Sequence, residues 1–158
     1  LEFRRVLFRS LDDDAVAEPG WLAALSAPFA RPDVAGVGGR VVPAWDSGRP
    51  QWFPPEFDWV VGCTFAGHPG EGPMRNTIGA SMAFRRSVFD RVGGFDSRVG
   101  RVEKRPTGCE ETELCIRVHQ QIDGAVVWYA PDAVVHHRVR DERATLAYFR
   151  ARCHAEGI

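Results

Sequence analysis

Apolar positions along the chain fall into short runs separated by turn residues, and the runs follow two different periods. Residues 34–42, Val-Ala-Gly-Val-Gly-Gly-Arg-Val-Val, read as a strand. The glycines inside that run mark places where something approaches the backbone closely. Residues 78–84 form a second strand of small side chains. Residues 125–130 and 133–139 predict two more, divided by Pro131-Asp132. Helical spacing governs the rest. Pro19 leads into residues 21–29, where Trp21, Leu22 and Leu25 share one face. Residues 87–92 predict a short helix, with Ser87 and Asp90 in capping-box spacing and Gly93 as the stop. Residues 110–121 carry Leu114, Ile116 and Val118, with Ile122 just beyond, and residues 143–156 close the chain with another helical pattern. Strands mixed with helices indicate an α/β fold.

Residues 43–75 interrupt this regularity. They hold six of the eleven prolines together with Trp45, Trp52, Phe53, Phe57, Trp59 and Phe65. A long segment this rich in turn residues is functional or disordered, and the aromatics argue against disorder. A polar loop is expected over residues 97–108. At 158 residues and 44% hydrophobic content the chain can bury one domain's core. A net charge of −1 gives no reason to expect nucleic acid or an anionic membrane as a bulk partner. No run is long enough for a spanning helix, and no secretory signal pattern is present. The four cysteines, Cys63, Cys109, Cys115 and Cys153, form neither a C-x-x-C pair nor a zinc-type spacing, and read as reduced thiols.

Chemistry concentrates at two acidic clusters. Asp12-Asp13-Asp14 follows an apolar run, and three adjacent carboxylates repel one another unless a cation or a ligand's donors compensate. Hard divalent cations, Mn²⁺ or Mg²⁺, suit oxygen ligands and bring phosphate with them. Glu110-Glu111-Thr112-Glu113 lies about a hundred residues later and opens a helix, where acids also complement the helix dipole. Residues 1–10 pack three arginines around a few apolar residues and stop abruptly at the triplet. They read as a non-native junction, or else as a remnant strand over 6–11 with one snorkelling arginine. Residues 11–158 are then one unit.

Five motifs, in this order, resemble the family 2 glycosyltransferases of the GT-A fold: Leu11-Asp12-Asp13-Asp14 with Pro19-x-Trp21-Leu22; Gly79-Ala80-Ser81-Met82-Ala83-Phe84-Arg85-Arg86; Val92-Gly93-Gly94-Phe95-Asp96; Glu110-Glu111-Thr112-Glu113-Leu114-Cys115-Ile116-Arg117; and Pro131-Asp132-Ala133-Val134-Val135-His136-His137. The resemblance implies a partial GT-A domain, a mixed sheet flanked by helices, lacking the N-terminal βαβ half that binds nucleobase and ribose. It implies an inverting, metal-dependent transfer from a nucleotide-sugar to a carbohydrate or lipid-linked acceptor, in a cytoplasmic protein, with the parent at the inner face of the membrane. Asp12 and Asp14 match the D-x-D motif that holds the metal, with Asp12 and Asp13 beside the donor's diphosphate and ribose. Glu111 matches the catalytic base, although the family commonly has Asp there. His136 and His137 end a strand, so only one of them can face the metal; His137 is favoured. Glu110, Asp96, Gly79, Ala80, Trp52 and Trp59 are the expected acceptor contacts.

Two other classes fit parts of the sequence. Asp12-x-Asp14-x-Val16 matches the nucleophile motif of haloacid dehalogenase-type phosphohydrolases. That chemistry also needs a phosphate-binding lysine and a late acidic pair after a strand, whereas the single lysine, Lys104, falls in a loop and Glu110-Glu111 opens a helix. A non-catalytic domain binding a partner through its aromatic segment is the third reading.

Overall fold

The computed structural model describes residues 7–96, 98–99 and 109–156. Lys104 and most of the loop expected over 97–108 lie outside the described residues, as do residues 1–6. The described strands are β1 (Leu7–Leu11), β2 (Ala15–Ala17), β3 (Val34–Trp45), β4 (Gly72–Pro73), β5 (Ser81–Arg85) and β6 (Val126–Val139). The helices are α1 (Trp21–Ser26), α2 (Arg86–Val92), α3 (Glu110–Gln121) and α4 (Leu146–Glu156). Tighter 3₁₀ turns cover Ala27–Ala30, Pro55–Val61 and Asp141–Arg143.

One mixed sheet runs in the order β1-β5-β3-β6-β2, and β4 pairs with the first half of β6. β3 and β6 are parallel, while β5 runs antiparallel to both its neighbours, β1 and β3. Strand alternation then divides the core. Ala35, Met82, Phe84 and Val127 pack under α2 and α3 with Val88, Leu114 and Val118. Val34, Val37 and Ala83 face the other way, against Leu25 and Phe29. A third cluster, around Val41, Val60, Val61, Val135 and Val139, joins the aromatic segment to the far end of the sheet. This is an α/β architecture compatible with a partial GT-A fold.

Several sequence expectations are corrected. The two strands expected on either side of Pro131-Asp132 are one strand, β6, with a register shift where β3 passes from Gly39 to Arg40. A local irregularity in the β3–β6 ladder absorbs the proline, whose missing N–H would break a regular ladder. The strand expected over 78–84 begins only at Ser81, after Ser81 N–H closes a turn onto the Ile78 carbonyl. The capping box does not form: α2 starts at Arg86, so Ser87 is already inside it, and Arg85 at the N-cap makes no side-chain cap. Arg85 instead donates to the carbonyls of Val34, Phe29 and Arg31, tying the α1 connection to β5. Gly93 does end α2, in the left-handed region at φ 80°. The glycines of β3 make room for the protein's own groups. A Cβ on Gly36 would lie 2.4 Å from the Phe84 ring, and one on Gly39 would lie 2.3 Å from the Ala133 carbonyl oxygen.

Candidate active site

The acidic triplet forms the turn between β1 and β2, closed by the Ala15 N–H donating to the Asp12 carbonyl at 3.1 Å. Sheet register then decides what the triplet meets. β2 pairs antiparallel with β6 so that Ala15 lies opposite His137, and the Arg138 N–H donates to the Asp14 carbonyl at 2.9 Å. His137 Nε2 consequently sits 3.2 Å from Asp14 Oδ1 and 4.0 Å from Asp12 Oδ2. One ligand atom from each of Asp12, Asp14 and His137 falls within 4.8 Å of the others. Two hard carboxylate oxygens and one borderline imidazole nitrogen form a mixed donor set that could hold a divalent cation such as Mn²⁺. His136, on the opposite face of β6, is held by Glu18 at 2.6 Å. Burial pushes His137 below the ordinary histidine range, against the opposing pull of Asp14.

Glu110 and Glu111 open α3, whose N-cap residue Cys109 takes a left-handed conformation at φ 82°. Glu111 lies over Gly79 and accepts from the Gly79 N–H. Burial, reinforced by the neighbouring Glu110 charge, raises the Glu111 carboxyl above its ordinary range despite those hydrogen bonds. A carboxylate of that kind is a stronger base than one in water.

These groups share one cleft of about 280 Å³. Its walls include Asp12, Asp13, Asp14 and His137 on one side, and Gly79, Ala80, Glu110 and Glu111 on another, with Trp59 beside them. Arg143 and Arg152 also line it. Sequence reading missed both arginines, because an arginine in a helical pattern looks like an ordinary solvated position. Arg152 is ion-paired to Glu156 at 2.7 Å, whereas the Arg143 guanidinium makes no ion pair or hydrogen bond among the described residues. A cleft with carboxylates, an imidazole and two guanidinium groups has the donors to hold a metal and a phosphate together, and a base to take a proton nearby.

Two expected acceptor residues are not brought to this cleft. Trp52 packs edge-on to Phe149 of α4 at 5.8 Å and beside Phe53 at 5.3 Å. Asp96 is drawn into a bidentate pair with Arg98, which holds its carboxyl down at about 2. All four cysteines are unbridged, Cys63 and Cys115 buried.

No protein-family model matches the chain. Among curated proteins, it is 40% identical over 137 residues to the glucosyl-dolichyl phosphate glucuronosyltransferase of Haloferax volcanii, covering 84% of this chain and 43% of that protein. It is 31% identical over 151 residues to the O-antigen biosynthesis protein RfbC of Myxococcus xanthus, covering 84% of this chain and 11% of that protein. The chain thus spans less than half the length of either relative. Among the described residues, no helix is long and apolar enough to cross a membrane.

Proposed function

Starting from a chain of the glycosyltransferase kind, consistent with family 2, we propose that it forms the metal, base and acceptor portion of an inverting transferase. The full-length protein moves a sugar from a nucleotide-diphosphate sugar to an acceptor hydroxyl. The observation that carries this reading is the single cleft in which Asp12, Asp14 and His137 face the space also bordered by Glu111. Asp12, Asp14 and His137 would hold Mn²⁺ or Mg²⁺. Bound there, the metal supplies neutralisation of the negative charge that grows on the leaving diphosphate. Arg143 and Arg152 add positive charge to the same cleft and are placed to receive phosphate oxygens.

Glu111 is the base. Its carboxylate takes the proton of the acceptor hydroxyl while that oxygen attacks the anomeric carbon, and the bond from that carbon to the diphosphate oxygen breaks on the opposite side. Attack and departure on opposite faces invert the carbon. Glu in place of the family's Asp lengthens the arm by about 1.5 Å. The resemblance assigns nucleobase and ribose contacts to a βαβ unit ahead of the acidic turn, so donor binding and transfer are measured on the full-length protein. The Haloferax relative's name supplies the first substrates to try: a nucleotide-linked glucuronic acid as donor and an isoprenoid-phosphate-linked sugar as acceptor.

The test separates metal from base. Asp14→Ala should abolish Mn²⁺-dependent donor binding by the full-length protein, measured by calorimetry. Glu111→Gln should leave that binding within about twofold and cut transfer by roughly 10²–10⁴. Transfer by Glu111→Gln at the normal rate would remove the base assignment. Metal-independent donor binding would remove the metal centre.

A further inference from the structure

His137 has a second partner behind its metal-facing edge. While Nε2 faces Asp14 and Asp12, Nδ1 lies 3.7 Å from Sγ of Cys63, and that sulfur lies 3.8 Å from the Val61 carbonyl oxygen. Both side chains are buried. A buried ring nitrogen needs a partner whether or not it carries the proton.

The two states of the site make opposite demands on Nδ1. In the metal-free protein the Asp14 carboxylate calls for a proton on Nε2, which leaves Nδ1 as an acceptor. When Nε2 gives its lone pair to a cation, the remaining proton must sit on Nδ1, which becomes a donor. A backbone carbonyl behind the ring could serve only the second state, and an N–H only the first. A thiol serves both. Sγ–H donates to Nδ1 in the metal-free state; in the loaded state Nδ1–H donates to Sγ, and Sγ–H turns to the Val61 carbonyl. The proton lost from Nε2 goes to solvent, and one is taken up at Nδ1, so the ring stays neutral throughout.

We propose that Cys63 is a positioning residue that serves both tautomers of His137, keeping the ring oriented as the metal enters and leaves. The inference rests on reading the cleft as a metal centre.

The thiol is rigidly placed for this. Its own N–H donates to the Asp58 carbonyl at 3.0 Å, and the next residue, Thr64, is clamped to Val41 of β3 by bonds of 2.8 and 2.9 Å. Asp58 is itself buried in a bidentate pair with Arg49, both bonds 2.7 Å long.

Nitrogen-15 spectra of the complete chain test this, because they read the His137 tautomer before any metal is added. Wild type should show a protonated Nε2 and a hydrogen-bonded Nδ1, and Mg²⁺ should move the proton to Nδ1. Cys63→Ser retains a donor and acceptor and should behave alike, with Mg²⁺ or Mn²⁺ affinity within about threefold of wild type. Cys63→Ala should shift the metal-free Nδ1 resonance towards that of an unbonded nitrogen and weaken metal binding about tenfold or more. An unmoved Nδ1 resonance together with unchanged metal affinity in Cys63→Ala would overturn the proposal and make the thiol simple core filling. A wild-type protein that binds neither metal would overturn the metal-centre reading and the tautomer exchange with it, while the metal-free spectra would still show whether Cys63 bonds the ring.

Discussion

Glu111 is in an environment that suits a base and costs stability. Burial is the main cause of its raised carboxyl, with Glu110 adding to it. A carboxyl whose folded pKa lies above its unfolded value contributes stability at low pH and loses it as pH rises through that window. At pH 7 the ionised side chain therefore opposes folding. Glu111→Gln should raise the melting temperature at pH 7 by about 2–4 °C, the shift expected for roughly 1 kcal/mol in a chain of this size. The gain should vanish by pH 4, where the wild-type carboxyl is protonated too. Thermal melts at the two pH values check this, and equal gains at both would mean the side chain is not titrating as its surroundings dictate. At the same scale, the sequence offered Glu111 and His137 only through a resemblance. Taken by itself, an acidic first turn is ordinary dipole complementation, and a strand histidine is ordinary packing. What distinguishes them is the carboxylate pair facing His137 Nε2 and the desolvation of Glu111, neither of which follows from local spacing.

Among the elements, β3 and β6 show most clearly where local pattern stops. Their apolar runs were legible because β3 is buried along its first half and β6 buries every second side chain, but Pro131-Asp132 read as a strand break. Pairing with β3 carries the strand through, by a shift of register at Gly39. That position is intolerant of a side chain: a Cβ there would lie 2.3 Å from both the Ala133 carbonyl oxygen and Ser81 Oγ. Backbone cannot yield as a flexible side chain can, so Gly39→Ala should destabilise by about 2–3 kcal/mol. Denaturant melts would measure it, and a loss below roughly 0.5 kcal/mol would mean the bulge relaxes freely. Because the second half of β6 carries His137, the same substitution should also weaken Mn²⁺ binding. The capping-box reading failed at this scale for a related reason. Arg85, hydrogen-bonded to three carbonyls outside α2, fixes where that helix begins more firmly than Ser87 could.

In the whole molecule, the cleft is closed by the last described helix. α4 has no fully buried residue and docks through Phe149, which packs against Phe53 at 5.3 Å and Phe57 at 5.2 Å as well as against Trp52. Docking brings Arg152 to the cleft, and the 3₁₀ turn before α4 brings Arg143. Phe149→Ala should loosen this closure while leaving β1, β2 and β6 in place. Binding of a nucleoside diphosphate to the full-length protein should weaken about fivefold or more, roughly 1 kcal/mol, with Mn²⁺ affinity kept within about twofold. Faster amide exchange confined to residues 146–156 should accompany it. Equal losses of metal and diphosphate binding would mean that the helix supports the metal ligands themselves.

The α/β class, most of the strands and helices, and the two acidic clusters could be read along the chain alone, because periodicity and local charge are properties of neighbouring residues. Tertiary structure decided everything that depends on register and crossing. It turned His137, and not His136, towards the acidic turn, because β2 pairs with β6 so as to set Ala15 opposite it. It drew Trp52 into the aromatic cluster under α4 and Asp96 onto Arg98, away from the cleft. It also put Cys63, Arg143 and Arg152 around the site, from segments whose patterns carry no chemical signal. Local spacing specifies which face a side chain takes on its own element, whereas the partner on that face is set by elements distant in the chain.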